Sequence, residues 1–145
     1  MDSIAQILRD KGAKVHTINP EATVRSAVEL MCRAHIGALL VMNGEAIAGV
    51  FSERDLMTRV VLAGRDPART SVRDVMTREV VCVRPDLSVR DAMTIVTRRR
   101  VRHLPVVDRP GVVGVVSIGD LVRWRVRDCE AEIDHLREYF AGYPV

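Results

Sequence analysis

Apolar positions along the chain change period several times, and the changes come in two matched series. Val15 to Ile18 alternate and stop before Pro20, which predicts a short strand. Thr23 is placed to N-cap a helix whose Val24, Ala27, Val28 and Met31 fall at i, i+3, i+4 and i+7. Two apolar strands follow, Ala38 to Met42 and Ala46 to Phe51, joined by the hairpin pair Asn43-Gly44. A second helix is expected after Ser52. Further on, Ser88 caps the stripe Val89, Ala92, Met93 and Val96. The strands His103 to Val107 and Val112 to Val116 are joined around Asp108 to Gly111, and a helix follows Ser117. Each series therefore reads β-α-β-β-α.

The two series are one unit written twice. At an offset of 65 residues Pro20 meets Pro85, Val24 meets Val89, Leu39 meets Leu104, Gly49 meets Gly114, Ser52 meets Ser117 and Asp55 meets Asp120, with no gap from Val15 to Arg59. Upstream, Ser3 to Leu8 matches Ser71 to Met76 at an offset of 68, so the first copy carries three extra linker residues. A 65-residue unit is short for a self-sufficient domain, and two such units are expected to bury their apolar faces together as a pseudo-twofold module. The expected division is 1–66 for the first repeat with the N-terminal segment, 67–125 for the second, and 126–145 for a C-terminal helix and tail. That helix extends the stripe Val122, Val126, Cys129, Ile133, Leu136 and Phe140, which calls for a partner surface, either its own module or a second copy.

The third strand of each copy runs into G-h-h-S-x-x-D, as Gly49 to Asp55 and Gly114 to Asp120. Ser followed three residues later by an acid is a capping-box variant. The same place, a helix N-terminus with free N–H groups, also suits a phosphate. Glycine lets another group come close to the backbone, and a first-turn carboxylate can accept hydrogen bonds from a ribose diol. Recurrence in both copies favours the binding reading, with two binding sites rather than one acid/base pair. In the second copy Arg102 and His103, inside Val101 to Asp108, add cationic and hydrogen-bonding capacity suited to phosphate. Arg98, Arg99 and Arg100 read as a solvated helix end.

Composition narrows the function. The 145 residues are 48% hydrophobic and 28% charged, a folded globular balance rather than a disordered one. No apolar run approaches a membrane span, and the charged N-terminus does not read as a secretion signal, so a cytoplasmic protein is expected. Cys32, Cys82 and Cys129 form no C-x-x-C pair, which argues against disulfides or structural zinc and predicts small core residues. Of 22 basic residues 20 are Arg, and the net charge is only +3. With five aromatic residues, three of them in the last seven positions, a nucleic-acid role is not expected. No G-x-S-x-G elbow, P-loop, H-E-x-x-H or G-x-G-x-x-G occurs, and the four histidines lack metal-ligand spacing, so neither catalysis nor a metal is expected.

On Val75-Met76-Thr77, the VRHLPVVD segment, the element order and the duplicated G-h-h-S-x-x-D, the sequence resembles a tandem pair of cystathionine-β-synthase (CBS) domains from Ser3 to about Arg125. The resemblance implies an α/β regulatory module whose two clefts take adenosyl ligands: AMP, ADP or ATP, with NAD(H) and S-adenosylmethionine left open. It implies that Asp55 with Ser52, and Asp120 with Ser117, anchor ribose and phosphate. It places Thr17, Ile36, Gly37 and Ala38 along a cleft and lets Arg102 and His103 reach phosphate. Arg54 reads either as a solvent-facing helix residue or as a further phosphate ligand. Cys82 stands where the first copy has Thr17, and Gly119 where it has Arg54, so unequal affinities are expected. Nearly every residue belongs to the paired module, so a homodimer or a separate regulated protein would carry the output. Two other readings stand beside it. One is an NAD(H)-binding or thioredoxin-linked redox regulator using the cysteines; the other is a nucleic-acid binder, suggested by the arginines and a pI near 9.1.

Overall fold

The structure, a computed structural model, describes residues 2–109 and 111–141, the last two as backbone only. The chain runs α1 (Ile4–Lys11), β1 (Thr17–Ile18), α2 (Val24–Ala34), β2 (Ala38–Asn43), β3 (Ala46–Ser52) and a short α3 (Glu53–Asp55) that continues as a π-helical stretch, Leu56–Val61. It continues with α4 (Val72–Val75), α5 (Val89–Arg99), β4 (His103–Asp108), β5 (Gly111–Ser117) and α6 (Ile118–Ala141). None of the described helices is long and apolar enough to cross a membrane.

The duplication is visible in the backbone. Helices α2 and α5 are capped alike, Thr23 Oγ1 accepting from Ser26 N at 3.1 Å and Ser88 Oγ from Asp91 N at 3.0 Å. Both end on a left-handed residue, His35 at φ 54° and Arg100 at φ 53°. The hairpins β2-β3 and β4-β5 share a register irregularity at the same place, Val41/Met42 and Val106/Val107. The first hairpin loop is Gly44-Glu45, one residue later than expected, since Asn43 still pairs with Ala46.

The first strands differ. Strand β1 pairs in parallel with β2, Thr17 opposite Leu40 and Ile18 opposite Val41, and is shorter than the expected Val15 to Ile18. In the second copy the expected strand reduces to a single parallel bridge, Val83 with Val106. Proline explains this. The Leu40 N–H donates to His16 O at 3.2 Å, whereas its counterpart Pro105 has no N–H to offer.

The lead-in segments cross over. Ile4, Ile7 and Leu8 of α1 are buried with Val89, Val96, Leu104, Val116 and Leu121 of the second repeat. Val72, Val75 and Met76 are buried with Val24, Leu39, Val41 and Phe51 of the first. Matched hydrogen bonds fix the exchange: Val89 N to Asp2 O at 2.9 Å and Val24 N to Thr70 O at 2.9 Å. Helix α1 is held further to α6 by Trp124 Nε1 donating to Asp2 at 2.8 Å and by the Arg127–Asp10 ion pair.

One expectation changes and one open alternative narrows. The cysteines are exposed rather than in the core. Cys32 sits beside the buried stripe of α2, Cys129 lies on the outer part of α6, and Cys82 points away from the side that buries Val83. Local desolvation pushes the Cys82 thiol up, away from the reactive thiolate. The apolar stripe of α6 does not pack on its own module either: Val122, Val126, Ile133 and Leu136 are each about half exposed. Phe140 of that stripe and the tail past 141 fall outside the described side chains.

Candidate functional site

Both G-h-h-S-x-x-D motifs form reciprocal caps. Asp55 N donates to Ser52 Oγ at 3.3 Å and Ser52 N to Asp55 Oδ2 at 3.0 Å; Asp120 N donates to Ser117 Oγ at 3.1 Å and Ser117 N to Asp120 Oδ2 at 2.8 Å. The motif glycines admit the crossed lead-in segments, not a ligand. A Cβ on Gly49 would lie 2.5 Å from Thr77 O, and one on Gly114 would lie 2.7 Å from Leu8 Cδ2.

Beyond the caps the two carboxylates part company. Both are buried, and it is their partners that differ: Asp55 accepts from the Ser52 hydroxyl at 3.1 Å and from Thr77 Oγ1 at 2.9 Å, with Arg59 Nε at 3.7 Å. Thr77 is held there because its backbone bridges Val50 through two 2.9 Å hydrogen bonds. In the second half α1 runs on for a turn past Leu8, where α4 stops at Val75, and among the described residues no backbone bridges Val115 in the way Thr77 bridges Val50. Instead the Lys11 ammonium donates to Val115 O at 2.9 Å and to Asp120 Oδ2 at 2.7 Å. Arg123, one turn along α6, donates to Asp120 Oδ1 at 2.7 Å.

That difference leaves a cleft of about 300 Å³ between the repeats. Of the residues singled out in the sequence it brings together Ile36, Gly37 and Ala38 from the first repeat with His103, Ser117 and Asp120 from the second. Thr17, Ser52, Arg54, Asp55 and Arg102 do not line it. Val15 and His16 beside Thr17 do, because the linker after α1 closes one side. A groove along α5, between Arg90, Thr94, Arg98 and Arg125, contains none of the candidates.

The charged side chains lining the cleft are Lys11, Lys14, Arg123 and Asp120, an excess of positive charge. Burial would raise Asp120, but the Lys11 hydrogen bond, the Ser117 N–H, the Lys11 charge and the Ser117 hydroxyl together hold it below the ordinary carboxyl value. For His103 burial is the largest influence and lowers it below the ordinary histidine value; the Asp120 charge opposes this, Lys11 and Arg102 reinforce it, and Glu53 opposes it. The ring is therefore a neutral hydrogen-bonding group near pH 7. Lys11, Lys14 and Arg123 were not foreseen as site residues. The signal for Arg123 was present, since three residues after Asp120 on a helix is the same face; nothing in the repeat pointed to the lysines. Among the described residues no group of His, Cys, Asp and Glu is gathered to hold a metal ion.

Two crossed repeats, the first β-α-β-β-α and the second with its first strand reduced to one bridge, enclose a cleft between them and define the class: a tandem-repeat module. The CBS domain pattern matches residues 4–62 and 72–127, and the chain belongs to the CBS domain family. It is 36% identical over 149 residues to the CBS domain-containing protein CBSX3, mitochondrial, of Arabidopsis thaliana, covering 97% of this chain and 72% of that one. Among solved structures, a putative signal-transduction protein with CBS domains from Burkholderia ambifaria superposes with a TM-score of 0.83 at 41% identity, covering 87% of this chain and 95% of that one. The structure of CBSX2 in complex with AMP shares the fold, with a TM-score of 0.71 at 24% identity over 88% of this chain and 98% of that one.

Proposed function

We propose that the cleft between the repeats binds one adenine nucleotide and that the chain acts as a sensor without catalysis of its own. The observation that carries this reading is the asymmetry of the twin aspartates. Asp120 faces a cationic cleft, whereas Asp55 is enclosed by Ser52, Thr77 and Arg59. In this reading Asp120 takes the ribose hydroxyls, while the Ser117 hydroxyl and His103 lie toward the phosphate. Ile36, Gly37 and Ala38 frame the base from the other repeat. AMP, ADP, ATP and the adenosine half of NAD(H) all present that chemistry, and AMP bound to CBSX2 shows that the fold accommodates it in that protein. A cleft at the lower end of small-molecule pocket volumes suits a single ligand.

A ligand held by both repeats biases their relative orientation by its differential affinity for the alternative arrangements. The output would pass through a second copy on the exposed stripe Val122, Val126, Ile133 and Leu136, or through a separate regulated protein. Cytoplasmic residence remains part of the proposal. The test is a thermal-shift screen of ligand-stripped protein against AMP, ADP, ATP, NAD(H) and S-adenosylmethionine. A ligand at 100 times its Kd should stabilise the fold by about 2.7 kcal/mol. No shift with any of them refutes the reading.

A further inference from the structure

We infer that Lys11 is a displaceable counter-ion that makes the cleft select for ligands bearing phosphate, and that this inference rests on the adenine-nucleotide reading. The acceptor positions on Asp120 are nearly filled. A carboxylate offers about four. On Asp120 three are taken, by Ser117 N at 2.8 Å, Lys11 Nζ at 2.7 Å and Arg123 Nη2 at 2.7 Å. A ribose diol donates two hydrogen bonds to such a group, so one of these donors must leave. The Ser117 N–H is fixed in the backbone as half of a helix cap, and a cation is what yields.

Lys11 is the one placed to go. It shares Oδ2 with the Ser117 N–H, while Arg123 alone holds Oδ1. Its ammonium ends a flexible stem in the last turn of α1, and Gly12 beyond it has open space around it. Asp120 is 8% exposed, the Lys11 side chain 37% and the Arg123 side chain 69%, so either cation can move while the aspartate stays; the crowding at Oδ2 is what selects Lys11, whose bond to Val115 O at 2.9 Å steadies the ammonium beside the cleft once it leaves the carboxylate. The chain contains only two lysines against 20 arginines, and both, Lys11 and Lys14, line this one cleft. A phosphate in the cleft receives the ammonium that the ribose displaces. Adenosine gives it nothing to pair with, and the sulfonium of S-adenosylmethionine adds a like charge.

The experiment is calorimetric titration of ligand-stripped protein with adenosine, AMP, ATP without added divalent metal, and S-adenosylmethionine, on the wild type and on Lys11→Met. The wild type should rank ATP above AMP, AMP above adenosine, and S-adenosylmethionine last, with at least tenfold between ATP and adenosine. Lys11→Met should weaken ATP about tenfold and strengthen adenosine, because it removes both the phosphate partner and the competitor for Asp120. Unfolding midpoints of the two ligand-free proteins separate this crossover from a damaged fold, and the wild-type ranking stands without the variant. A ranking blind to ligand charge, or an equal loss for every ligand in Lys11→Met, overturns the inference while leaving the nucleotide reading intact. Failure of all four ligands to bind the wild type overturns both.

Discussion

Replacing each motif aspartate separately distinguishes one open site from two. In Asp120→Ala the ribose loses a charged acceptor, and a hydrogen bond to a charged group contributes roughly 1.5–3 kcal/mol. Freeing Lys11 and Arg123 for the phosphate offsets part of the loss, so AMP should bind about tenfold to a hundredfold more weakly. In Asp55→Ala the damage should fall on the fold. Ser52 N and Thr77 Oγ1 lose their acceptor at a buried place, at about 1 kcal/mol each, and the reciprocal cap of α3 is broken. Arg59, half exposed and 3.7 Å away, contributes little. The sum is about 2–3 kcal/mol, several degrees in Tm for a chain of this size, with AMP affinity unchanged. Calorimetry for affinity and thermal unfolding for stability read the two effects apart. Equal losses of AMP affinity in two well-folded variants would mean that both aspartates hold ligand, and would sink the single-cleft account.

Acidification should destabilise the protein in two stages. The folded His103 has a lowered pKa, so the unfolded chain protonates first and stability falls as the pH drops below the ordinary value of 6.5. The folded Asp120 is also lowered, so its contribution is present above 3.8 and is lost only as the pH falls through its lower folded value. His103→Gln should flatten the upper stage in Tm measured from pH 7.5 to 5.5, and an unchanged slope would contradict the assignment. Gly49→Ala should cost about 1–3 kcal/mol, because its methyl meets backbone at Thr77 O, and more than Gly114→Ala, whose methyl meets only the movable end of Leu8. Denaturant unfolding that ranks them the other way would count against the crossed packing. Val126→Asp should shift a self-associated protein to monomer in sedimentation, and an unaltered size would remove α6 from the interface.

The duplicated elements were legible because period and caps are local: Thr23, Ser88 and the two hairpins announce themselves within a few residues. The crossing of α1 was not. The 68-residue offset matched Ser3 to Leu8 with Ser71 to Met76 but carried no information on which core each would enter. The shortened strand at Val83 lay hidden in a missing N–H on Pro105, a residue that reads otherwise as part of a good β segment. The aspartates were readable as a pair and unreadable as individuals. What divides them is the reach of Lys11 and Thr77, two residues outside the repeated motif at unmatched positions. The cysteines misled for a plainer reason: general preference for burial says nothing of which helix face or strand side a given one occupies.

The exchange of lead-in helices makes each half of the gene product the custodian of a piece the other needs. During synthesis Ile4, Ile7 and Leu8 leave the ribosome ahead of both repeats yet must wait for β4 and β5 before they have anywhere to dock. A cut in the stretch between Val61 and Thr70 would yield fragments that are each incomplete alone and complementary together, so the nicked protein should hold as a reassembled whole.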